Sequence, residues 1–136
     1  MTRYEKGARL ERDIVNYLRD RGYGALRAAG SGPVDVVAYT PSEGHVVMEC
    51  KVRRSDVLYV PKEDVTKLEE FAKTFDATPF IAWRPAHRRL PRHPLNVVLV
   101  RPEDTEETTS SRKITLESAV RKGLSLEALL TDRLPL

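Results

Sequence analysis

Three charged residues interrupt two runs of strand-forming sequence. Asp35 begins one β-branched run, and Glu49 and Lys51 end the next, which gives the spacing D-x13-E-x-K. Because side chains alternate between the two faces of a strand, Glu49 and Lys51 share one face and Cys50 takes the other. A single carboxylate near a strand end is usually just solvated. The combination at this spacing is what indicates a site.

A short turn joins the two runs as a predicted antiparallel hairpin. In the register that pairs Tyr39 with His45, Asp35 faces Glu49 across the strands. Like charges directly opposite each other destabilise a sheet, and a divalent cation is the simplest compensation. Mg²⁺ and Mn²⁺ prefer oxygen ligands and leave positions for water and phosphate. Lys51 beside such an ion could orient or deprotonate an attacking water, or balance the charge of a phosphate.

A helix predicted over residues 5–21 supplies another carboxylate. Glu11 lies three residues before Ile14 and therefore shares the helix face that should pack on the sheet. A carboxylate on that face costs free energy unless a cation or a metal ion compensates it. The alternative to a metal site is an ordinary ion pair of Glu11 with Arg27 or Lys51.

Composition sets the class of the protein. The 136 residues, 40% hydrophobic and 32% charged, predict one globular domain over residues 1–136. The net charge of +3 and the pI near 9.1 lean mildly toward an anionic partner. Cys50 is the only cysteine, which excludes an internal disulfide and favours a reducing compartment. The N-terminus is charged, and no apolar run reaches the ~18 residues that a membrane helix needs, so we expect a cytoplasmic protein without a membrane partner.

The remaining pattern alternates strands with helices. Strands are predicted near residues 25–28, 34–39, 45–51, 80–83, 97–100 and 113–116, and helices over 5–21, from Pro61 to Phe75, and over 126–131. Residues 103–111 read as a polar loop, and 84–94 as a basic loop that is punctuated by prolines. This order predicts a mixed sheet flanked by helices.

The charged motifs resemble the PD-(D/E)xK nuclease superfamily and, more closely, the archaeal Holliday junction resolvases. The segments that carry the resemblance are EKGARLERDIVNYLRDRGYGALRAAGSGPVDVVA, VVMECKV, VLYVPKEDVTKLEEFAKTF and GLSLEALL. The ordered run of G-x3-E-R, R-x-A-x-S, an Asp and E-x-K is far more specific than E-x-K alone. One departure is the order Pro33-Val34-Asp35, where the superfamily name implies Pro-Asp. Because that proline is not a ligand, the expectation stands.

The resemblance implies a restriction-endonuclease-like α/β fold, a mixed central β-sheet flanked by α-helices, in a single nuclease domain. It also implies a homodimeric endonuclease that cuts four-way DNA junctions symmetrically with Mg²⁺ or Mn²⁺ during recombination and repair. The residues implied as catalytic are Glu11, Ser31, Asp35, Glu49 and Lys51. Those implied as metal-binding are Glu11, Asp35, Glu49 and the Cys50 backbone carbonyl. DNA contacts are expected from Arg12 and Arg27, and from Arg53 and Arg54 after the second strand, and dimer contacts from Phe71 and Phe75.

The sequence leaves alternatives for the basic loop and for the function. The basic loop 84–94 is equally consistent with contact to an outer DNA arm and with a solubilising surface, and its histidines lack the partners of a zinc site. Another nuclease of the same fold and a non-catalytic DNA-binding module are the alternative functions. The sequence names no replication or recombination protein as a partner.

Overall fold

The computed structural model describes residues 1–28, 30 and 32–131. A five-stranded sheet contains β1 Ala25–Arg27, β2 Val36–Thr40, β3 Gly44–Arg53, β5 Ala77–Pro85 and β6 Val98–Val100. A smaller sheet contains β4 Val57–Pro61, β7 Glu106–Glu107 and β8 Ser111–Thr115. The helices are α1 Arg3–Asp20, α2 Lys62–Thr74, α3 Leu116–Lys122 and α4 Leu126–Leu130, with 3-10 turns at Pro94–Asn96 and Pro102–Asp104.

The central sheet is mixed, with strand order β1-β2-β3-β5-β6. β3 runs antiparallel to β2 and parallel to β5, so it lies in the middle of the sheet. Parallel neighbours need a crossover connection, and α2 lies in the connection between β3 and β5. The architecture agrees with the predicted α/β class.

The two faces of β3 pack against different helices. Val46 and Met48 lie in one core cluster with Leu10 and Ile14 of α1. Val47 lies in a second cluster with Val65 and Leu68 of α2. Since side chains alternate along a strand, the side chains of Glu49 and Lys51 emerge on the α2 side of the sheet.

The first helix begins two residues before its predicted start, at Arg3, and ends at the predicted stop. The Thr2 hydroxyl accepts a hydrogen bond from the Glu5 backbone N–H at 3.1 Å, which caps the start of α1. Gly22 has a φ of +86°, and the N–H groups of Gly22 and Tyr23 donate to the carbonyls of Arg19 and Leu18 at 2.9 and 3.0 Å. This is the Schellman arrangement, and it confirms Gly22 as the helix stop.

Among the described strands and α-helices, three elements were missed by the sequence prediction: β4, α3 and β7. β4 was not predicted because its residues are apolar throughout, so the alternation that marks a half-buried strand is absent. α3 was also missed, because its N-cap Thr115 and its first residue Leu116 were assigned to the predicted strand 113–116. Residues 103–111, predicted as a loop, include β7 and the first residue of β8. Pro61 is the N-cap of α2 rather than part of its first turn. None of the helices in the described ranges is long and apolar enough to cross a membrane.

Candidate active site

The β2–β3 hairpin has the predicted register over its full ladder. The pairs run from Thr40–Gly44 through Tyr39–His45 to Val36–Met48. The ladder ends one pair before the predicted Asp35–Glu49 pair, so the prediction of a direct cross-strand pair is wrong. The Asp35 N–H donates instead to the Met48 carbonyl at 2.8 Å, which moves its backbone out of the regular pairing.

The Asp35 side chain replaces the lost ladder contact. Its Oδ2 accepts a hydrogen bond from the Cys50 N–H at 2.7 Å. The N–H and C=O of one strand residue point toward the same neighbouring strand, so the Cys50 carbonyl also points to the side where β2 has ended. The Cys50 side chain points away into the core, where burial raises the pKa of its thiol well above the usual value. Only the backbone of Cys50 is therefore available to the site.

Four predicted catalytic residues line one cleft of about 630 Å³. Glu11 comes from α1, Asp35 precedes β2, and Glu49 and Lys51 lie on β3. The other described residues of the cleft wall are Arg3, Tyr4, Gly7, Ala8, Arg27, Ala28, Gly30, Cys50 and Arg53. The structure thus brings together α1 and the β2–β3 hairpin, which are separated in sequence by β1. Ser31, also predicted as catalytic, lies outside the described residues.

Ion pairs hold the charged side chains of the cleft. Arg27 Nε lies 3.2 Å from Glu11 Oε1, which is one of the two ion pairs that the sequence offered for Glu11. Lys51 Nζ lies 3.4 Å from Glu49 Oε1 and 3.8 Å from Asp64 Oδ2. Lys51 is therefore held between two carboxylates.

Asp64 is the residue that sequence reasoning missed. It lies in the first turn of α2, where acidic residues are common because they complement the helix dipole. A usable signal was present, since Asp64 lies four residues before the buried Leu68 and therefore on the side of α2 that faces the sheet.

The carboxylates of the cleft resist ionisation. Burial, and next the charge of Asp35, raise the pKa of Glu49 from 4.5 to about 7, against the opposing effect of Lys51. Burial also raises the pKa of Asp35, although the hydrogen bond from the Cys50 N–H acts to lower it. Burial, and next the charge of Asp35, raise the pKa of Glu11. Three acids with raised pKa values in one cleft are the electrostatic situation that a bound cation relieves.

The donor set fits a hard divalent cation in chemical type. Carboxylate oxygens and a backbone carbonyl are the ligands that Mg²⁺ and Mn²⁺ prefer, and Mg²⁺ commonly takes only one or two carboxylates. Within the described ranges, however, no three Asp, Glu, His or Cys side chains stand together as a group that could hold an ion. Glu11 and Glu49 are turned toward Arg27 and Lys51, and their ion pairs would have to open for them to act as ligands.

Comparison with known proteins decides the family. The model of the archaeal Holliday junction resolvase (Hjc) family matches residues 2–134. This chain belongs to the Hjc family. Two proteins named crossover junction endodeoxyribonuclease Hjc, from Methanocaldococcus jannaschii and Sulfolobus acidocaldarius, are 35% and 36% identical to it over 80 residues. Those alignments cover 59% and 54% of this chain and 59% and 55% of the relatives' own lengths.

A solved Hjc structure has the same fold. The Archaeoglobus fulgidus Hjc, described as a Holliday junction resolvase from an archaeal hyperthermophile, matches with a TM-score of 0.78 at 25% identity. The match covers 96% of this chain and 99% of the other. The agreement extends beyond the segments that carry the sequence similarity, and it confirms the expected restriction-endonuclease-like architecture.

The arginines expected to contact DNA in this Hjc family member differ in their positions. Arg27 and Arg53 line the cleft, and burial together with the charge of Arg3 lowers the pKa of Arg53. Arg12 and Arg54 are exposed and are not among the residues that line it. Two of the four therefore lie at the site, and two lie on the surface outside it.

The residues expected at the dimer contact form part of an aromatic strip. The rings of Phe71 and Phe75 stack with centroids 5.3 Å apart, and His45 lies 5.6 Å from Phe75. Tyr39 extends the strip, 5.3 Å from His45. Phe75 is 43% exposed and Tyr39 53% exposed, whereas Phe71 packs partly against the α2 core cluster.

Proposed function

We propose that this chain is a structure-selective endonuclease that resolves four-way DNA junctions by paired, symmetric, Mg²⁺- or Mn²⁺-dependent hydrolysis of phosphodiester bonds. The observation that carries the proposal is the convergence of Glu11, Asp35, Glu49 and Lys51 on one cleft in a member of the Hjc family. A surface that only bound DNA would not need three carboxylates facing a polyanion.

The proposed mechanism assigns the carboxylates to the cation. Asp35 and Glu49, with the Cys50 carbonyl, would hold it, and Glu11 would join or support them. When bound, the ion supplies Lewis-acid activation of the phosphate and of a water. The residues of the chain would orient that water and bind the phosphate.

Lys51 is the residue best suited to handle the attacking water. Its Nζ lies on the same strand face as Glu49 and is held by carboxylates on two sides. An ammonium fixed in this way can orient a water or balance the negative charge that develops on the phosphate. Arg27 would bind the phosphate backbone of DNA once its ion pair with Glu11 opens.

A homodimer fits the symmetry of the proposed reaction. Two cuts related by a two-fold axis call for two copies of the cleft related by the same operation. The aromatic strip of Tyr39, His45, Phe71 and Phe75 offers an exposed apolar surface of the kind that buries well between subunits. We assign the dimer contact to Phe71 and Phe75 within this strip.

The decisive experiment uses a labelled immobile four-way junction with and without Mg²⁺. We expect paired symmetric nicks in the wild-type protein, which are lost in Asp35→Ala and Lys51→Ala and kept in the exposed control Asp20→Asn. Linear duplexes and flaps serve as competing substrates. Preferential cleavage of linear duplexes or flaps would show that the protein is a nuclease with a different substrate. Junction binding without any metal-dependent cut would show a non-catalytic DNA-binding module.

A further inference from the structure

The basic segment after β5 begins beside the cleft. Arg53, which lines the cleft, pairs with Pro85 at the end of β5. The next residue, Ala86, donates its N–H to the Arg53 carbonyl at 2.8 Å. We call residues 86–96 the arginine loop. It leaves the sheet at the end where Lys51 lies, one strand away from the proposed cleavage site.

The arginine loop has a fixed shape because one side chain closes it. The Asn96 Oδ1 accepts a hydrogen bond from the Leu90 N–H at 2.6 Å. Its Nδ2 donates to the carbonyls of Pro85 and Arg88 at 3.1 and 2.7 Å. Arg84 Nε donates to the Leu95 carbonyl at 2.9 Å. These contacts tie the two ends of the loop to each other and to β5.

A second set of contacts, to Asp56, also holds the loop. Asp56, which follows β3, receives two contacts from Arg88, Nε to Oδ1 at 2.8 Å and Nη2 to Oδ2 at 2.9 Å. His87 Nε2 lies 2.6 Å from the same Asp56 carboxylate. The chain segment that leaves the catalytic strand therefore also fixes the arginine loop.

The outer surface of the loop carries charge of one sign. Residues 86–96 include Arg88, Arg89 and Arg92 and contain no acidic residue. Arg89 and Arg92 are exposed, and neither takes part in an ion pair within the part of the chain that the structure describes. The concavity formed by the loop, about 760 Å³, has one acidic residue in its described wall, Glu127.

These features together favour a binding surface over a solubilising one. A surface that serves solubility mixes charges of both signs and has no need of a fixed backbone. Here unpaired arginines stand on a backbone that is hydrogen-bonded in place, which lowers the entropy lost when they bind a partner. Duplex DNA, with one phosphate charge per ~1.7 Å of helix axis, is the partner whose charge density suits such a patch.

We propose that the arginine loop is a second DNA-contact surface, which binds the phosphate backbone of a duplex arm beside the strand that enters the cleft. This inference rests on the proposed function for its substrate. Arg89 and Arg92 make the contacts, and Asn96 and Asp56 hold the loop in position. The contact adds affinity and leaves the chemical step unchanged.

The test compares two double variants that remove the same charge. Arg89→Gln with Arg92→Gln alters the loop. Arg19→Gln with Arg21→Gln alters two exposed arginines at the C-terminal end of α1. Binding of a labelled four-way junction is measured without divalent metal at several salt concentrations, and melting temperatures check that both variants fold. We expect the loop variant to bind roughly 10-fold more weakly and its plot of log K against log salt to be less steep by about 1 to 2. The control should change neither value appreciably.

Single-turnover cleavage at saturating junction completes the test. The loop variant should cut at the wild-type rate once bound. An unchanged affinity and salt slope, or a loss no larger than in the control, would overturn the inference, as would a slower saturated rate with unchanged affinity. A wild-type protein that binds the junction but never cuts it would refute the proposed function, and the binding comparison would still decide the role of the loop.

Discussion

The Asp35 carboxylate accepts a hydrogen bond from the Cys50 backbone N–H at 2.7 Å, at the point where the β2–β3 ladder has ended. This side chain therefore has two tasks. It completes the hydrogen bonding of β3, and it presents negative charge to the cleft.

Substitutions of Asp35 should separate the two tasks. Asp35→Ala leaves the Cys50 N–H without its acceptor and should lower the free energy of unfolding by about 1–3 kcal/mol. Asp35→Asn keeps an acceptor oxygen and removes a charge that is disfavoured by burial, so its stability should equal or exceed that of wild type. Both variants should lose junction cleavage. Urea unfolding in EDTA, beside the cleavage assay, makes the comparison, and equal stability of the two variants would contradict the structural task.

Glu49 should make the metal-free protein less stable as the pH rises. Its pKa is about 7 in the folded protein against 4.5 for the ordinary group, so the folded state binds more protons between these values. The stabilising contribution of the protonated Glu49 side chain is fully present below pH 4.5 and is lost as the pH rises through about 7. Glu49→Gln should therefore be more stable than wild type at pH 8, by on the order of 2 kcal/mol, and nearly equal to it at pH 4.

The matched control for this experiment is Glu70→Gln, an exposed residue of α2. Unfolding in EDTA at pH 4, 6 and 8 would measure all three proteins. A Glu49→Gln variant that is less stable than wild type at pH 8 would show that Glu49 is stabilised as a carboxylate, contrary to the cause given for its raised pKa.

Metal binding should stabilise the protein more at pH 8 than at pH 6. Protons compete with the ion for Glu49, so the apparent affinity falls when the carboxylate is protonated. A ligand at 100 times its dissociation constant adds about 2.7 kcal/mol to the stability of the folded state. Thermal unfolding with increasing Mg²⁺ at the two pH values measures the effect, and Asp35→Asn should abolish it. A larger shift at pH 6 would contradict the assignment of Glu49 as a ligand.

Asp64 should act on the reaction through Lys51. Asp64→Asn removes one of the two carboxylates that hold the ammonium, which should slow cleavage about 5-fold for a loss near 1 kcal/mol. Burial and Asp35 are the main causes of the raised pKa of Glu49, and the charge of Asp64 adds to them. The variant should therefore reach half of its maximal rate at a lower pH, and Asp64→Glu should restore the wild-type profile. A pH–rate profile that does not move would exclude this role.

The aromatic strip should determine the oligomeric state. Phe71→Ala with Phe75→Ala removes the stacked pair, and we expect the dimer to dissociate into monomers at micromolar concentration. Light scattering during gel filtration gives the mass. Tyr59→Ala, which removes an exposed aromatic side chain from the smaller sheet, is the control. An unchanged dimer in the double variant would remove Phe71 and Phe75 from the interface.

The parts of the site that follow from local spacing could be predicted from the sequence. The E-x-K period placed Glu49 and Lys51 on one strand face, and the hairpin register was right for every pair that exists. The interruption at Asp35 could not be predicted, because it depends on a side chain that bonds to the backbone of another strand. The alternation of side chains along strands predicts regular pairing only. It cannot predict a side chain that takes the place of a backbone hydrogen bond.

Contacts across the fold were harder to predict. Asp64 reaches Lys51 only because the crossover helix begins over the end of β3, and that placement depends on tertiary packing. The small sheet depends in the same way on β4 pairing with β8, two segments about fifty residues apart. Arg27 was offered as a partner for Glu11 without a means of choosing it over Lys51, and packing made the choice.

The early end of β2 gives β3 two unlike halves. From His45 to Met48 the strand has neighbours on both sides, whereas from Glu49 to Arg53 its only strand partner among the described residues is β5. The protein thus creates an open edge in the interior of a sheet. In the proposed function, a phosphodiester chain would approach this gap along the line that a further strand would have followed. In the proposed reaction, the nucleic acid would meet a surface shaped by the spacing of a β-ladder, and the ion pairs of Glu11 with Arg27 and of Glu49 with Lys51 would open as the cation binds.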